Sequence, residues 1–123
     1  DGLDNPSRVE VVPSDRVPSD LMVVDLGPQS RQRYAAALAG ARTIFWNGPM
    51  GVFEVDAFAE GTLSVATAMA ESSGYTVVGG GESVMAIRRA GVVDRIEHGS
   101  TGGGASIRFL TGDVLPALAA LEE

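Results

Sequence analysis

"YTVVGGGESVMAIRRAG" occupies residues 75–91, and its reading decides the fold. A β-rich apolar run, Tyr75 to Val78, breaks into three consecutive glycines and restarts with helical spacing from about Ser83 to Ala90. The device returns in "IEHGSTGGGASIRFL", residues 96–110, where a short strand over Arg95 to His98 leads to Gly102, Gly103 and Gly104 and then to a helix over Ala105 to Leu110. After a strand, glycine lets the backbone turn sharply and lets a ligand approach the peptide planes. The helix that follows starts with unpaired N–H groups and a partial positive charge, which suits a phosphate. Two such cups on neighbouring strand ends suit a polyphosphate, or a phosphate in transit.

Upstream, Thr43 to Trp46 reads as a strand that stops at the turn signal Asn47-Gly48-Pro49. Thr62 is placed to cap a helix reaching about Ser72, with Leu63, Ala66, Met69 and Ala70 on one face and Gly74 as its stop. Leu21 to Leu26 reads as a strand halted by Gly27 and Pro28. A helix from about Ser30 follows, with Tyr34, Ala37, Leu38 and Ala41 at helical spacing and Gly40 marking its end. The first twenty residues, with three prolines, form an irregular lead-in in which only Val9 to Val12 has strand character. "VLPALAALEE", residues 114–123, is a terminal helical segment. Strand and helix alternate, and the strands read as apolar on both faces. The expectation is α/β: part of a doubly wound, Rossmann-like parallel sheet with helices on both faces and ligands at the carboxyl ends of the strands.

Bulk properties narrow the function. The 123 residues allow one domain and not two. Nine arginines face sixteen carboxylates for a net charge of -7, and lysine is absent. Such a chain has no basic patch with which to bind nucleic acid, and any phosphate it holds must be held by something other than lysine. Backbone amides are the obvious substitute. Cysteine is absent too, which removes disulfides and thiolate metal sites and fits a cytoplasmic setting. No stretch is long enough for a membrane span, and "DGLDNPSRVE" lacks the regions of a signal peptide.

Standard fingerprints fail. The dinucleotide pattern G-x-G-x-x-G breaks at Val84, and a Walker loop requires a lysine. "HGSTG", residues 98–102, is near a serine-hydrolase elbow at Ser100 but has His98 where glycine belongs. A histidine two residues away in the same strand is poorly placed to serve as the serine's base.

Taken together and in order, "WNGPMGVFE" (46–54), Phe58 with Gly61 and Thr62, "VVGGGES" (77–83) and "HGSTGGGAS" (98–106) closely resemble the carboxyl-terminal part of the phosphoglycerate kinase family. "DLGPQS" (25–30) is similar to that family's "DIGP" segment, and the resemblance runs over nearly the whole chain from about Leu21. It implies a glycolytic phosphotransferase that moves a phosphoryl group between 1,3-bisphosphoglycerate and ADP, giving 3-phosphoglycerate and ATP, with Mg2+ on the nucleotide. It further implies that Glu54 holds the ribose hydroxyls and that Pro49 and Val52 line the adenosine. Asn47, Gly80, Gly81 and Ser83 would lie at the nucleotide phosphates, and Gly102, Gly103 and Gly104 would receive the migrating phosphoryl group. Glu82 stands where the family writes aspartate, as the residue nearest the metal. Its extra methylene is expected to alter magnesium geometry without abolishing it.

The resemblance also implies what this chain does not carry. The family's substrate lobe, with its arginines and histidine, and its catalytic lysine have no counterpart here, so the chain reads as the last third of the enzyme. By itself it is expected to be inactive, and to self-associate through exposed sheet edges, whereas the full enzyme is expected to be a monomer. The alternative is a non-catalytic nucleotide- or anion-binding α/β module. Trp46 is expected in the core, His98 as an ordinary strand histidine, and Arg88 and Arg89 as a solvated helix face.

Overall fold

The computed structural model describes residues 3, 6 and 8–121. Its elements run α1 (Pro28–Ala39), β1 (Thr43–Asn47), α2 (Glu60–Glu71), β2 (Tyr75–Gly79), α3 (Gly81–Arg89), β3 (His98–Ser100), α4 (Gly103–Leu110) and a short α5 (Pro116–Ala119). Single turns of 3-10 helix lie at Asp56–Phe58 and Val93–Arg95. The strands form one parallel sheet in the order β1-β2-β3. Two crossovers of one hand stepping in one direction deliver their helices to one face, and α2 and α3 accordingly share a face of the sheet.

That face is the core. Ile44, Trp46 and Val78 point from the strands into Val65, Ala66, Met69 and Ala70 of α2 and Ala86 and Ile87 of α3, with Phe53 and Val92 closing the ends. Met69, Val78 and Ala66 are wholly buried. Truncating a side chain such as Met69 to alanine would cost about 2–5 kcal/mol through lost transfer energy and a residual cavity. The helical spacing read for α2 is therefore its buried face. Trp46 lies in the core as expected, 5% exposed, and its indole N–H meets no acceptor among the described residues.

The strands are not equally apolar on both sides. Phe45 and Val77, which point to the opposite face, are only half-buried, and α4 is the helix beneath them. A cavity of about 410 Å³ opens there between Thr43, Phe45, Val77, His98 and Ser100 of the sheet and Ala105, Phe109 and Leu110 of α4. Helices do lie on both faces, but the second cover is thin.

Several boundaries differ from the sequence reading. Val9 to Val12 is not a strand: Pro13 follows, none of the described residues pairs with it, and Val9 and Val11 stand exposed. Leu21 to Leu26 bends at Asp25 and joins no ladder among the described residues. It is tied to the body by Val24, whose carbonyl accepts from the Val52 amide at 2.9 Å, and by Asp25, whose carboxylate accepts from the Gly61 amide, while Met22 and Val23 are exposed. Of Arg95 to His98 only His98 is strand, because the 3-10 turn consumes Arg95 and the ladder to β2 begins at His98. Thr62 does not cap α2; it lies inside the helix, fully buried. Both α3 and α4 begin within the glycine triplets, two residues ahead of the expected starts. The terminal segment is helical only over Pro116–Ala119; Glu122 and Glu123 lie outside the described residues. In the lead-in, the described residues form turns and extended chain.

Candidate functional site

The register of the sheet brings the three strand ends level: Asn47 is opposite Gly79, and Gly79 is opposite Ser100. Everything that leaves the strands at this edge is therefore gathered in one place. These exits are the loop after β1, the turn into α3 and the turn into α4.

The two glycine turns touch. Gly80, with φ +92°, donates its amide to the Ser100 carbonyl at 2.8 Å, tying the first turn to the strand that leads into the second. A Cβ at Gly103 would lie 3.0 Å from the Gly80 Cα and 2.8 Å from the Asn47 Oδ1, and a Cβ at Gly80 would lie 2.7 Å from that same oxygen. The side-chain oxygen of Asn47 thus lies against both turns; glycine is required at 80 by its φ and at 103 by packing against the Gly80 backbone. Gly81 and Gly104 differ: an added Cβ would meet nothing within 4 Å at either. They occupy the first turns of α3 and α4, facing open space.

Hydrogen bonding sorts the donors further. Gly102 donates its amide to the Ser100 hydroxyl at 3.2 Å, and Gly103 donates to the Thr101 carbonyl at 3.1 Å. Ser106 closes the turn, its amide and its hydroxyl both donating to the Gly102 carbonyl. In α3 the first intrahelical bond is Val84 to Gly80, which leaves the amides of Gly81, Glu82 and Ser83 without intrahelical partners; in α4 the corresponding pair is Gly104 and Ala105. Two clusters of free N–H groups, each at the positive end of a helix, lie on adjacent strand exits.

The loop after β1 is held from three sides. The Ser83 hydroxyl, fully buried, accepts from the Gly48 amide at 2.7 Å. Thr62 Oγ1 accepts from Met50 at 3.0 Å and from Gly51 at 3.3 Å. Arg89, at the far end of α3, donates to the Phe53 carbonyl and to Asp56. Arg89 is exposed, as expected of a solvated helix face, but its guanidinium is also bonded to the loop. Phe53 is buried, while Pro49 and Val52 are half-buried and Glu54 is exposed between them and the following turn. Below the loop, the carboxylate of Asp25 accepts from the Gly61 amide at 2.9 Å at the start of α2.

Glu82 is exposed in the first turn of α3 and forms no ion pair among the described residues. No group of three or more metal-ligating side chains occurs among the described residues. A lone carboxylate at a helix start fits magnesium, which keeps several waters and takes its remaining ligands from a bound polyphosphate. His98 and Ser100 share a strand and line the apolar cavity beneath the sheet; the Ser100 hydroxyl is engaged by the Gly102 amide.

The sequence located Asn47 and both triplets. It did not reveal the ties that hold them, because an arginine at a helix end, or a threonine near a helix start, looks the same whether it is solvated or bonded. Asp25 carried a signal, the "DLGP" segment, but not its partner.

A family model described as phosphoglycerate kinase matches residues 2–113. Among curated relatives, phosphoglycerate kinase of Thermus thermophilus is 56% identical over 116 residues, covering 94% of this chain and 30% of that protein. The counterpart from Desulfosudis oleivorans is 50% identical over 120 residues, covering 98% of this chain and 30% of that protein. The solved structure of phosphoglycerate kinase from Coxiella burnetii superposes with a TM-score of 0.77 at 44% identity, over 85% of this chain and 27% of that one. The chain thus spans about 30% of the length of the curated relatives it matches. No helix among the described residues is long and apolar enough to cross a membrane.

Proposed function

Because the chain belongs to the phosphoglycerate kinase family, we propose that it forms the carboxyl-terminal portion, residues 1–123, of the nucleotide-binding lobe of a cytoplasmic glycolytic phosphotransferase. That enzyme moves a phosphoryl group between 1,3-bisphosphoglycerate and ADP, giving 3-phosphoglycerate and ATP. The observation that carries this reading is the contact of the two glycine turns at Gly80 and Gly103 around Asn47, which sets two groups of free amides side by side.

In this reading Pro49 and Val52 form the wall against the adenosine, and Glu54 accepts hydrogen bonds from the ribose hydroxyls. The amides of Gly81 and Glu82, both exposed, receive the nucleotide phosphates, beside Asn47, and Ser83, fully buried, braces the turn through its hydroxyl. Gly102, Gly103 and Gly104 form the turn that meets the phosphoryl group in transit; its donors are Gly104 and Ala105, since the amides of Gly102 and Gly103 are bonded within the turn. Charge spread over three equatorial oxygens rewards donors that are already fixed, because no reorganisation is needed at the moment of reaction. Glu82 would hold the magnesium ion that accompanies the nucleotide, and bound metal neutralises charge on the phosphates.

Transfer also needs a mobile cation and a site for the three-carbon acid. This chain has no lysine, and Arg89 is committed to Phe53 and Asp56. Those groups belong to other parts of the enzyme, and the chain alone binds without turning over. This leaves a second reading, a binding module without catalysis. A coupled assay and calorimetry with MgADP separate the two. Turnover by the protein at its natural length, with binding but no turnover by residues 1–123, is the expected result. Absence of MgADP binding in both would overturn the assignment.

A further inference from the structure

The helix that offers its start to phosphate also holds the adenosine loop at both ends. Ser83, in the first turn of α3, accepts from the Gly48 amide at 2.7 Å where the loop leaves β1. Arg89, the last residue of α3, donates one guanidinium nitrogen to the Phe53 carbonyl and the other to Asp56. The nine residues of α3 reach roughly 13 Å. A guanidinium is suited to this end of the brace because its donors form a rigid planar fork, directed here at two acceptors on either side of Glu54.

The carbonyl of Phe53 and the amide of Glu54 belong to one planar peptide. Fixing that carbonyl, with Phe53 itself buried, fixes the peptide plane from which Glu54 starts and narrows the directions its carboxylate can take. We propose that Arg89 is a positioning residue for Glu54, setting the affinity for the ribose without touching the nucleotide. The inference rests on the nucleotide-site reading above and deepens it: it names the residue that holds the ribose carboxylate in place, while the stretch with Pro49 and Val52 is held independently by Thr62 and Val24.

The test compares ADP with 2′,3′-dideoxy-ADP, which lacks the hydroxyls that Glu54 would accept from, by calorimetry on the protein at its natural length. Arg89→Met keeps much of the apolar stem and removes the donors. It is expected to weaken ADP about tenfold, the scale of loss from a displaced positioning group, while leaving dideoxy-ADP unchanged within twofold. Arg89→Lys, with one donor centre, is expected to fall between, and it serves as the readout if the methionine variant unfolds. In a Glu54→Ala background, Arg89→Met should add no further loss. Equal losses for both nucleotides, or none, would overturn the positioning role. Failure of the unmodified protein to bind either nucleotide would instead overturn the nucleotide-site reading, and this proposal with it.

Discussion

Gly103 and Gly104 are adjacent in sequence with opposite surroundings. Alanine at 103 would press its Cβ to 3.0 Å from the Gly80 Cα, which is backbone and cannot swing aside. Gly103→Ala is expected to destabilise by about 1–3 kcal/mol, the usual range for overpacking, and to lower the midpoint of thermal unfolding. Alanine at 104 meets open space and removes a helix-disfavouring glycine, so stability should hold or rise by up to about 1 kcal/mol. Turnover should nevertheless fall, because the methyl group would stand where phosphate approaches. A Gly104→Ala protein with unchanged melting and unchanged turnover would remove that position from the site. At Glu82, Glu82→Asp shortens the arm to the metal. The magnesium concentration giving half-maximal activity in the coupled assay should shift, and an unaltered titration would mean that the methylene has no consequence.

Between elements, Glu97 reaches from the start of β3 to β2, accepting hydrogen bonds from the Thr76 hydroxyl and, at 2.9 Å, from the Thr76 amide. The side chain thereby extends the ladder one residue below the His98 pair. The Thr76 hydroxyl, then the Thr76 amide, hold this carboxyl below its ordinary value of 4.5. A depressed value in the folded state means that the carboxylate stabilises the fold above pH 4.5, and that this contribution is lost as the pH falls through the lowered value. The melting difference between the native protein and Glu97→Gln should therefore be largest near pH 6 and shrink toward pH 3; a difference constant across that range would contradict the linkage. This contact also marks what was legible in the sequence. β1, β2 and the helix α2 between them were readable because periodicity and glycine punctuation are local signals. Leu21 to Leu26 has the composition of a strand yet joins no ladder, since pairing depends on a neighbour that composition does not specify. The triplets announced the site, whereas the ties made by Arg89, Ser83 and Thr62 depend on tertiary proximity and left no pattern.

On the scale of the whole chain, the side of the sheet beneath Phe45 and Val77 is thinly covered. Phe109 and Leu110 of α4 are 68% and 62% exposed there, and on the separate segment before α1 Met22 and Val23 are 70% and 71% exposed. Apolar surface of this extent, next to an unpaired edge of a three-stranded sheet, favours association. Light scattering on residues 1–123 alone should give a mass that rises with concentration, while the protein at its natural length should remain monomeric; a concentration-independent monomer of the short chain would contradict this. Trp46 has a separate use. It is the only tryptophan in the chain, it is buried, and it immediately precedes Asn47 at the rim where the glycine turns meet. Its emission should therefore lie at the blue end of the indole range and move to the red on denaturation. No other indole contributes background, so the chain carries an intrinsic optical reporter one residue from the chemistry, and nucleotide titrations can be followed without attaching a dye.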